Sequence, residues 1–246
     1  MLKKIFGFLL IISTLFIPCS AQRTSVDTLN IPFAYDTTAF NKLKIDLKGL
    51  DVSMWQGKID WCHIDSLGYD FVFIKATQGL RTDPNFFYNW NNCNTIKGAY
   101  HFFMPNISGI AQAKHFLNTV KLKKGDLPPV IDVEFIKVWK STSKWLASKN
   151  LKEMLTYIET HTGVKPIIYT NNFFWNTRVY PFYKGPVDQY PLWIAHYTDN
   201  LKPYIPFGWN NWTFWQWTHK GTVQRCRGYW DHNYYNGTDL KKLLIK

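Results

Sequence analysis

Short runs of apolar, aromatic and β-branched residues recur along the chain at Leu47–Val52, Phe71–Ala76, Lys97–Phe103, Pro129–Glu134, Pro166–Thr170, Pro191–Tyr197, Trp212–Trp217 and Gly228–Asp231. Runs of this length, bounded by turn-forming residues, predict eight β-strands. Between them, Ser108–Val120 and Ser143–Thr160 carry apolar residues at helical spacing, with Ser108 and Ser141 or Ser143 placed as caps. Alternation of strand and helix predicts parallel pairing, and a set of this size predicts closure. The later connections are irregular. The expected fold is therefore α/β, a single irregular (β/α) TIM-like barrel, with functional groups gathered at the C-terminal ends of the strands.

The pattern changes at the N-terminus. Lys3 and Lys4 precede an apolar run from Ile5 to Ile17, followed by Pro18-Cys19-Ser20-Ala21, which is the layout of a cleaved signal peptide. The organisation read from the chain is 1–21 signal peptide, 22–45 N-terminal arm or linker, and 46–246 barrel. Export to a periplasm, a cell surface or the medium is expected. Lipid anchoring at Cys19 is the less favoured alternative, because Pro18 stands where a small side chain is wanted. No integral membrane segment is expected after cleavage, and the protein is expected to be a monomer.

Composition adds two features: aromatic residues reach 18%, and 29 Lys+Arg against 17 Asp+Glu give a net charge of +12. The first 21 residues carry only two charges, both positive, so +10 belongs to the remainder. With 46% hydrophobic residues and no short-period repeat, disorder and fibres are excluded. A basic, ring-rich surface suits polyanions and sugars. Cys62, Cys93 and Cys226 allow at most one bridge, for which Cys62–Cys93 is weakly favoured, and no Cys/His spacing suggests zinc.

The residues that end the runs are polar: Asp51, His101, Asp132 with Glu134, Asn171, His196, Gln216 and Asp231. Side chains alternate across a strand, so Asp132 and Glu134 share a face, and two carboxyls at such spacing repel until one keeps its proton. One protonated and one ionised carboxyl are what glycoside hydrolysis requires. Glu134, with the longer arm, is the candidate general acid. Asp132, Asp51 and Asp231 would share positioning and charge stabilisation. The competing reading has Asp132 capping the following helix and Glu134 pairing with a surface lysine. Aromatics cluster near the same ends, at Trp55, Tyr100, Phe102, Tyr169, Trp193, Tyr197, Trp215, Trp217, Tyr229 and Trp230, and would in part line a sugar groove to which Gln216 and Asn171 offer amides. No GxSxG elbow, phosphate loop or HxxxH motif competes, and no metal or organic cofactor is expected.

These residues resemble the glycoside hydrolase family 25, or Chalaropsis-type, lysozymes. The resemblance runs in order through Gly49-Leu50-Asp51-Val52-Ser53 with Trp55-Gln56-Gly57, Phe73-Ile74-Lys75-Ala76-Thr77 with Asp83-Pro84-Asn85-Phe86, and Gly98-Ala99-Tyr100-His101-Phe102-Phe103. It continues through Pro129-Val130-Ile131-Asp132-Val133-Glu134, Tyr169-Thr170-Asn171, Leu192-Trp193-Ile194-Ala195-His196-Tyr197 and Trp215-Gln216-Trp217. It implies hydrolysis of the β-1,4 bond between N-acetylmuramic acid and N-acetylglucosamine in peptidoglycan glycan strands. Asp51, Asp132, Glu134 and Asp231 fall on the four acidic positions, with Glu134 as donor. Tyr100 and Tyr169 fall on substrate-contacting positions, with Trp193, Tyr197 and Gln216 as further candidates. The last block departs from the pattern at Arg225, Cys226 and Trp230, which puts the role of Asp231 and the width of the site in question. The carboxyl spacing leaves stereochemistry open, with acetamido-assisted retention favoured. Two alternatives remain: a peptidoglycan-binding module with impaired catalysis, and a nucleic-acid binder, which export disfavours.

Overall fold

A computed structural model describes residues 47–134 and 136–246; the expected signal peptide and the whole of the arm lie outside the described residues. The chain divides into a first unit, Met1–Ile31, which lies outside them, and a second, Pro32–Lys246, which holds everything below.

The described residues form one mixed sheet of strands β1 (Lys48–Val52), β2 (Phe71–Gln78), β3 (Arg81–Thr82), β4 (Ile96–Phe102), β5 (Val130–Asp132), β6 (Ile167–Asn171), β7 (Leu192–Ala195), β8 (Phe214–Gly221) and β9 (Trp230–Tyr235). Pairing of β1 with both β2 and β9 closes the sheet into a barrel, leaving β3 as a short hairpin extension of β2. All eight predicted strands are present, but the pairing is not wholly parallel. β9 runs antiparallel to β8 and β1, because β8 returns through a loop too short for a crossover helix.

Alternation along each strand divides the core in two. Inward positions Phe71, Phe73, Val130, Ile167, Tyr169, Trp193, Phe214 and Tyr235 fill the barrel. The rings of Phe71, Phe73 and Phe214 pack with centroids 5.0–5.7 Å apart. Two inward glycines make room for them: a Cβ on Gly49 would stand 2.3 Å from the Phe71 ring, and one on Gly98 2.8 Å from Phe73. Outward positions such as Leu50, Ile74, Ala99, Ile131, Ile168, Ile194 and Trp215 form the second core, beneath the helices.

Helices α1 (Trp61–Ser66), α2 (Phe86–Asn92), α3 (Gly109–Val120), α4 (Ile136–Ser141) and α5 (Lys144–Thr162) cover part of the barrel. The two anticipated helices are α3 and α5, and Ser108 caps α3 by accepting from the Ala111 amide. Gly109 packs so closely on α5 that a Cβ would overlap the Asn150 carbonyl at 1.8 Å. The Cys62–Cys93 bridge does not form: Cys93 is buried, and its Sγ–H donates to the Thr95 carbonyl. Burial pushes that thiol up to about 12. Among the described residues, no helix is long and apolar enough to cross a membrane.

Candidate active site

At the C-terminal ends of the strands the barrel filling stops below the rim, leaving a cleft of about 440 Å³. Its walls include Asp51 from β1, Lys75 from β2, Tyr100 and Phe102 from β4, Asp132 and Glu134 from β5 and the residue pair after it, Gln216 from β8 and Asp231 from β9. Although β5 ends at Asp132, the Val133 amide still donates to the Tyr169 carbonyl at 2.9 Å, which keeps the alternation going. Val133 turns into the outer core, and Asp132 and Glu134 both line the cleft. Asp132 Oδ1 is buried with no hydrogen-bond partner among the described residues.

The four carboxyls sit in two pairs. Asp51 Oδ2 accepts from the side-chain amides of Gln216 and Asn233, each at 2.8 Å, and a further hydrogen bond joins Asp51 to Asp231. Burial raises Asp51 to about 6 against the pull of those hydrogen bonds. Asp231 is pushed up to about 8, first by burial and then by the Asp51 charge. At neutral pH this pair therefore holds one proton, with Asp231 donating to ionised Asp51. Burial also lifts Glu134, to about 7, with the Asp51 charge adding to it and Lys75 opposing. Asp132 is raised well above the carboxylate range by burial and then by Glu134. Both shifts favour the protonated forms, and Glu134, at about 7, is poised to exchange its proton near neutrality.

Lys75 is a site residue that inspection of strand ends does not find. It follows Phe71 and Phe73 on the inward face of β2, and its Nζ donates to Gln78 Oε1 at 3.0 Å and lies 4.7 Å from the centroid of Phe102. Its charge is felt by both Asp132 and Glu134. Asn233, two residues beyond Asp231 on β9, is the other: it accepts from Trp193 Nε1 at 2.8 Å while its amide donates to Asp51.

Several anticipated ligand contacts have other work. The Gln216 amide accepts from Tyr169 OH at 2.9 Å and Tyr197 OH at 2.7 Å while donating to Asp51. Trp193 reaches the cleft floor but is 2% exposed and stacked on Phe73 with centroids 4.4 Å apart, so it holds the floor and offers no free face. His101 points outward and is wholly buried, with Nδ1 2.7 Å from Thr77 Oγ1 and Nε2 3.0 Å from Gln112 Oε1. Burial lowers it to about 3, so it stays neutral. Asn171 caps the turn that follows β6, and His196 Nδ1 accepts from the Tyr204 amide. Trp215 and Trp230 belong to the outer core, so Trp230 does not narrow the cleft.

The exposed rings are at the rim. Trp55, 79% exposed, rides on a short turn in which Ser53 and Gln56 bond reciprocally and Asp83 accepts from the Met54 amide. Tyr229 is 66% exposed, and Tyr197, 48% exposed, packs on His219 with centroids 4.3 Å apart. Among the described residues, no group of three or more His, Cys, Asp or Glu is placed to hold a metal ion.

A closed barrel whose C-terminal rim presents carboxyls in unequal protonation states, flanked by exposed rings, is the arrangement of a retaining or inverting glycosidase. Comparison with known proteins agrees. Glycosyl hydrolases family 25 matches residues 50–226. Lysozyme M1 of Streptomyces globisporus is 34% identical over 214 residues, 81% of this chain and 71% of that protein. The uncharacterized protein YegX of Escherichia coli strain K12 is 37% identical over 201 residues, 78% of this chain and 70% of that one. The crystal structure of the bacterial lysozyme from Streptomyces coelicolor superposes with a TM-score of 0.73 at 33% identity, covering 80% of this chain and 94% of that one. The chain belongs to glycosyl hydrolases family 25, and it is a glycoside hydrolase of the lysozyme type.

Proposed function

We propose that the protein is an exported N-acetylmuramidase that hydrolyses the β-1,4 bond between N-acetylmuramic acid and N-acetylglucosamine, with Glu134 as general acid. The observation that carries this reading is the protonation pattern of the cleft: Glu134 at about 7 is able both to give and to regain a proton at neutral pH, while Asp51 at about 6 is ionised beside it. The name of the related N,O-diacetylmuramidase of Chalaropsis, 30% identical over 222 residues, supports the choice of bond.

In this mechanism Glu134 protonates the bridging oxygen as the bond to the muramic C1 breaks, and the N-acetylglucosamine leaves with its 4-hydroxyl restored. Asp51 offers negative charge to the electron-poor sugar. Its Oδ2 is held by two amides, and burial together with the Glu134 charge favours the protonated form of Asp132, so neither is a free nucleophile. The muramic acetamido oxygen closes on C1 instead, its N–H proton passing to Asp51. Water then opens the ring, giving a proton to Glu134, while Asp51 returns its own. Net retention follows, and NMR of the first-formed anomer tests it: an inverted product removes the assisted route.

Mass spectrometry of soluble products from digested peptidoglycan tests the reaction itself. Fragments ending in reducing muramic acid are expected, whereas fragments ending in reducing N-acetylglucosamine would overturn the assignment. N-terminal sequencing of the protein recovered outside the cytoplasm tests export, with cleavage after Ala21 expected.

A further inference from the structure

The basic excess of the chain is unexplained by the cleft, which gathers four carboxyls against Lys75. A second concavity, of about 530 Å³, lies on the outer wall of the barrel along α5, in the size range of ligand sites. Its floor and sides are apolar, with Trp145, Tyr157 and Phe182, and its edges carry Lys149, Lys152 and Lys184. Trp145 is 70% exposed, an unusual cost for the largest side chain unless its face is used. Two further lysines reinforce the rings, with Lys144 Nζ 4.5 Å from the Phe182 centroid and Lys114 Nζ 5.9 Å from that of Tyr157. Glu153 is the one acid among the lining residues, and it already pairs with Lys149 at 2.6 Å. Trp145 is in the first turn of α5, which runs back from the strand ends towards the start of β6, so the ring stands at the same end of the barrel as the acids.

We propose that this groove is a second, non-catalytic binding site for anionic wall glycan: a sugar ring stacks on Trp145, and the carboxylates of the polymer's lactyl and peptide substituents pair with Lys152 and Lys184. The choice of occupant rests on the muramidase reading and on charge complementarity. A ring beside cations recognises an acidic sugar, whereas the acidic cleft gives a polyanion no general attraction. Holding the polymer at a second point raises its effective concentration at the cleft, so an insoluble wall is attacked faster than its affinity for the cleft alone allows.

The test uses a Glu134→Gln background, in which binding is separated from turnover, and co-sedimentation with purified sacculi. Trp145→Ala and the pair Lys152→Glu/Lys184→Glu are each expected to weaken sedimentation by about tenfold, the charge pair also flattening its salt dependence. With Glu134 restored, both variants should turn over a soluble tetrasaccharide, too short to span two sites, at the parental rate. Undiminished sedimentation overturns the proposal. So does loss of tetrasaccharide turnover in step with sedimentation, which would merge the groove with the cleft, or preferential binding to vesicles of anionic phospholipid, which would make it a membrane contact. Failure of the muramidase reading itself appears separately, as a parental enzyme that yields no fragments ending in muramic acid.

Discussion

Replacing Asn233 with Leu, close in shape but unable to hydrogen-bond, removes one of the two amides that hold Asp51 Oδ2 at 2.8 Å. A hydrogen bond to a charged group contributes about 1.5–3 kcal/mol, which corresponds to ~1–2 pH units on the carboxyl it stabilises. Asp51, at about 6 in the parent, therefore rises to or past Glu134 at about 7. The productive form needs Asp51 ionised and Glu134 protonated. With midpoints in the parental order, roughly half of the molecules are productive at the optimum; with Asp51 raised by ~1.5 units, roughly one in eight is. The acid limb of kcat/KM on a soluble tetrasaccharide should move up by at least about one unit and the maximum should fall about fourfold. The same change strips Trp193 Nε1 of its acceptor, at 2.8 Å in the parent, and should cost ~1–3 kcal/mol in urea unfolding. An acid limb that stays in place while stability falls would refute the assignment of Asp51 as the group that must be ionised.

Other consequences follow from the same electrostatics. Lys75 opposes the upward shifts of Asp132 and Glu134, so Lys75→Met should raise Glu134 and carry the basic limb of the pH–rate profile up by about one unit; an unchanged limb contradicts that pairing. Stability should also respond to pH. Asp51, Glu134 and Asp231 all have folded midpoints above those of the unfolded chain, so the folded state binds more protons between pH 4 and 8. Folding is therefore favoured at the acid end of that window, and the favour is lost as pH rises through about 6, 7 and 8. The urea midpoint should rise from pH 8 to pH 5, and Asp132→Asn together with Asp231→Asn should flatten the trend while abolishing activity.

The barrel was legible because aromatic and branched residues alternate within short runs, and that pattern survives in every predicted strand. The direction of β9 was not, because residue pattern is the same for either orientation and only the short return from β8 decides it. Helices α1, α2 and α4 are too short for a helical period to emerge. In the candidate site, position at a strand end proved a weaker guide than parity. His101 lies between inward Tyr100 and Phe102, and His196 follows inward Ala195, so both must face outward. Parity with Phe71 and Phe73 would have found Lys75, and parity with Asp231 would have found Asn233. What no pattern in the chain gives is the division of protons among the acids. It depends on how deeply each carboxyl is buried and on which amides reach it, and both are tertiary facts.

In the proposed reaction Glu134 delivers the proton to the leaving oxygen. The most direct test of that role compares Glu134→Gln with the parent on two substrates, native glycan and an aryl glycoside whose phenolate leaves without protonation. Glu134→Gln should lose about 10²–10⁴ in kcat/KM on glycan, with disappearance of the basic limb near pH 7, and should cleave the aryl bond at a near-parental rate. Equal loss on both substrates, or a glycan rate that keeps its basic limb, would contradict that role.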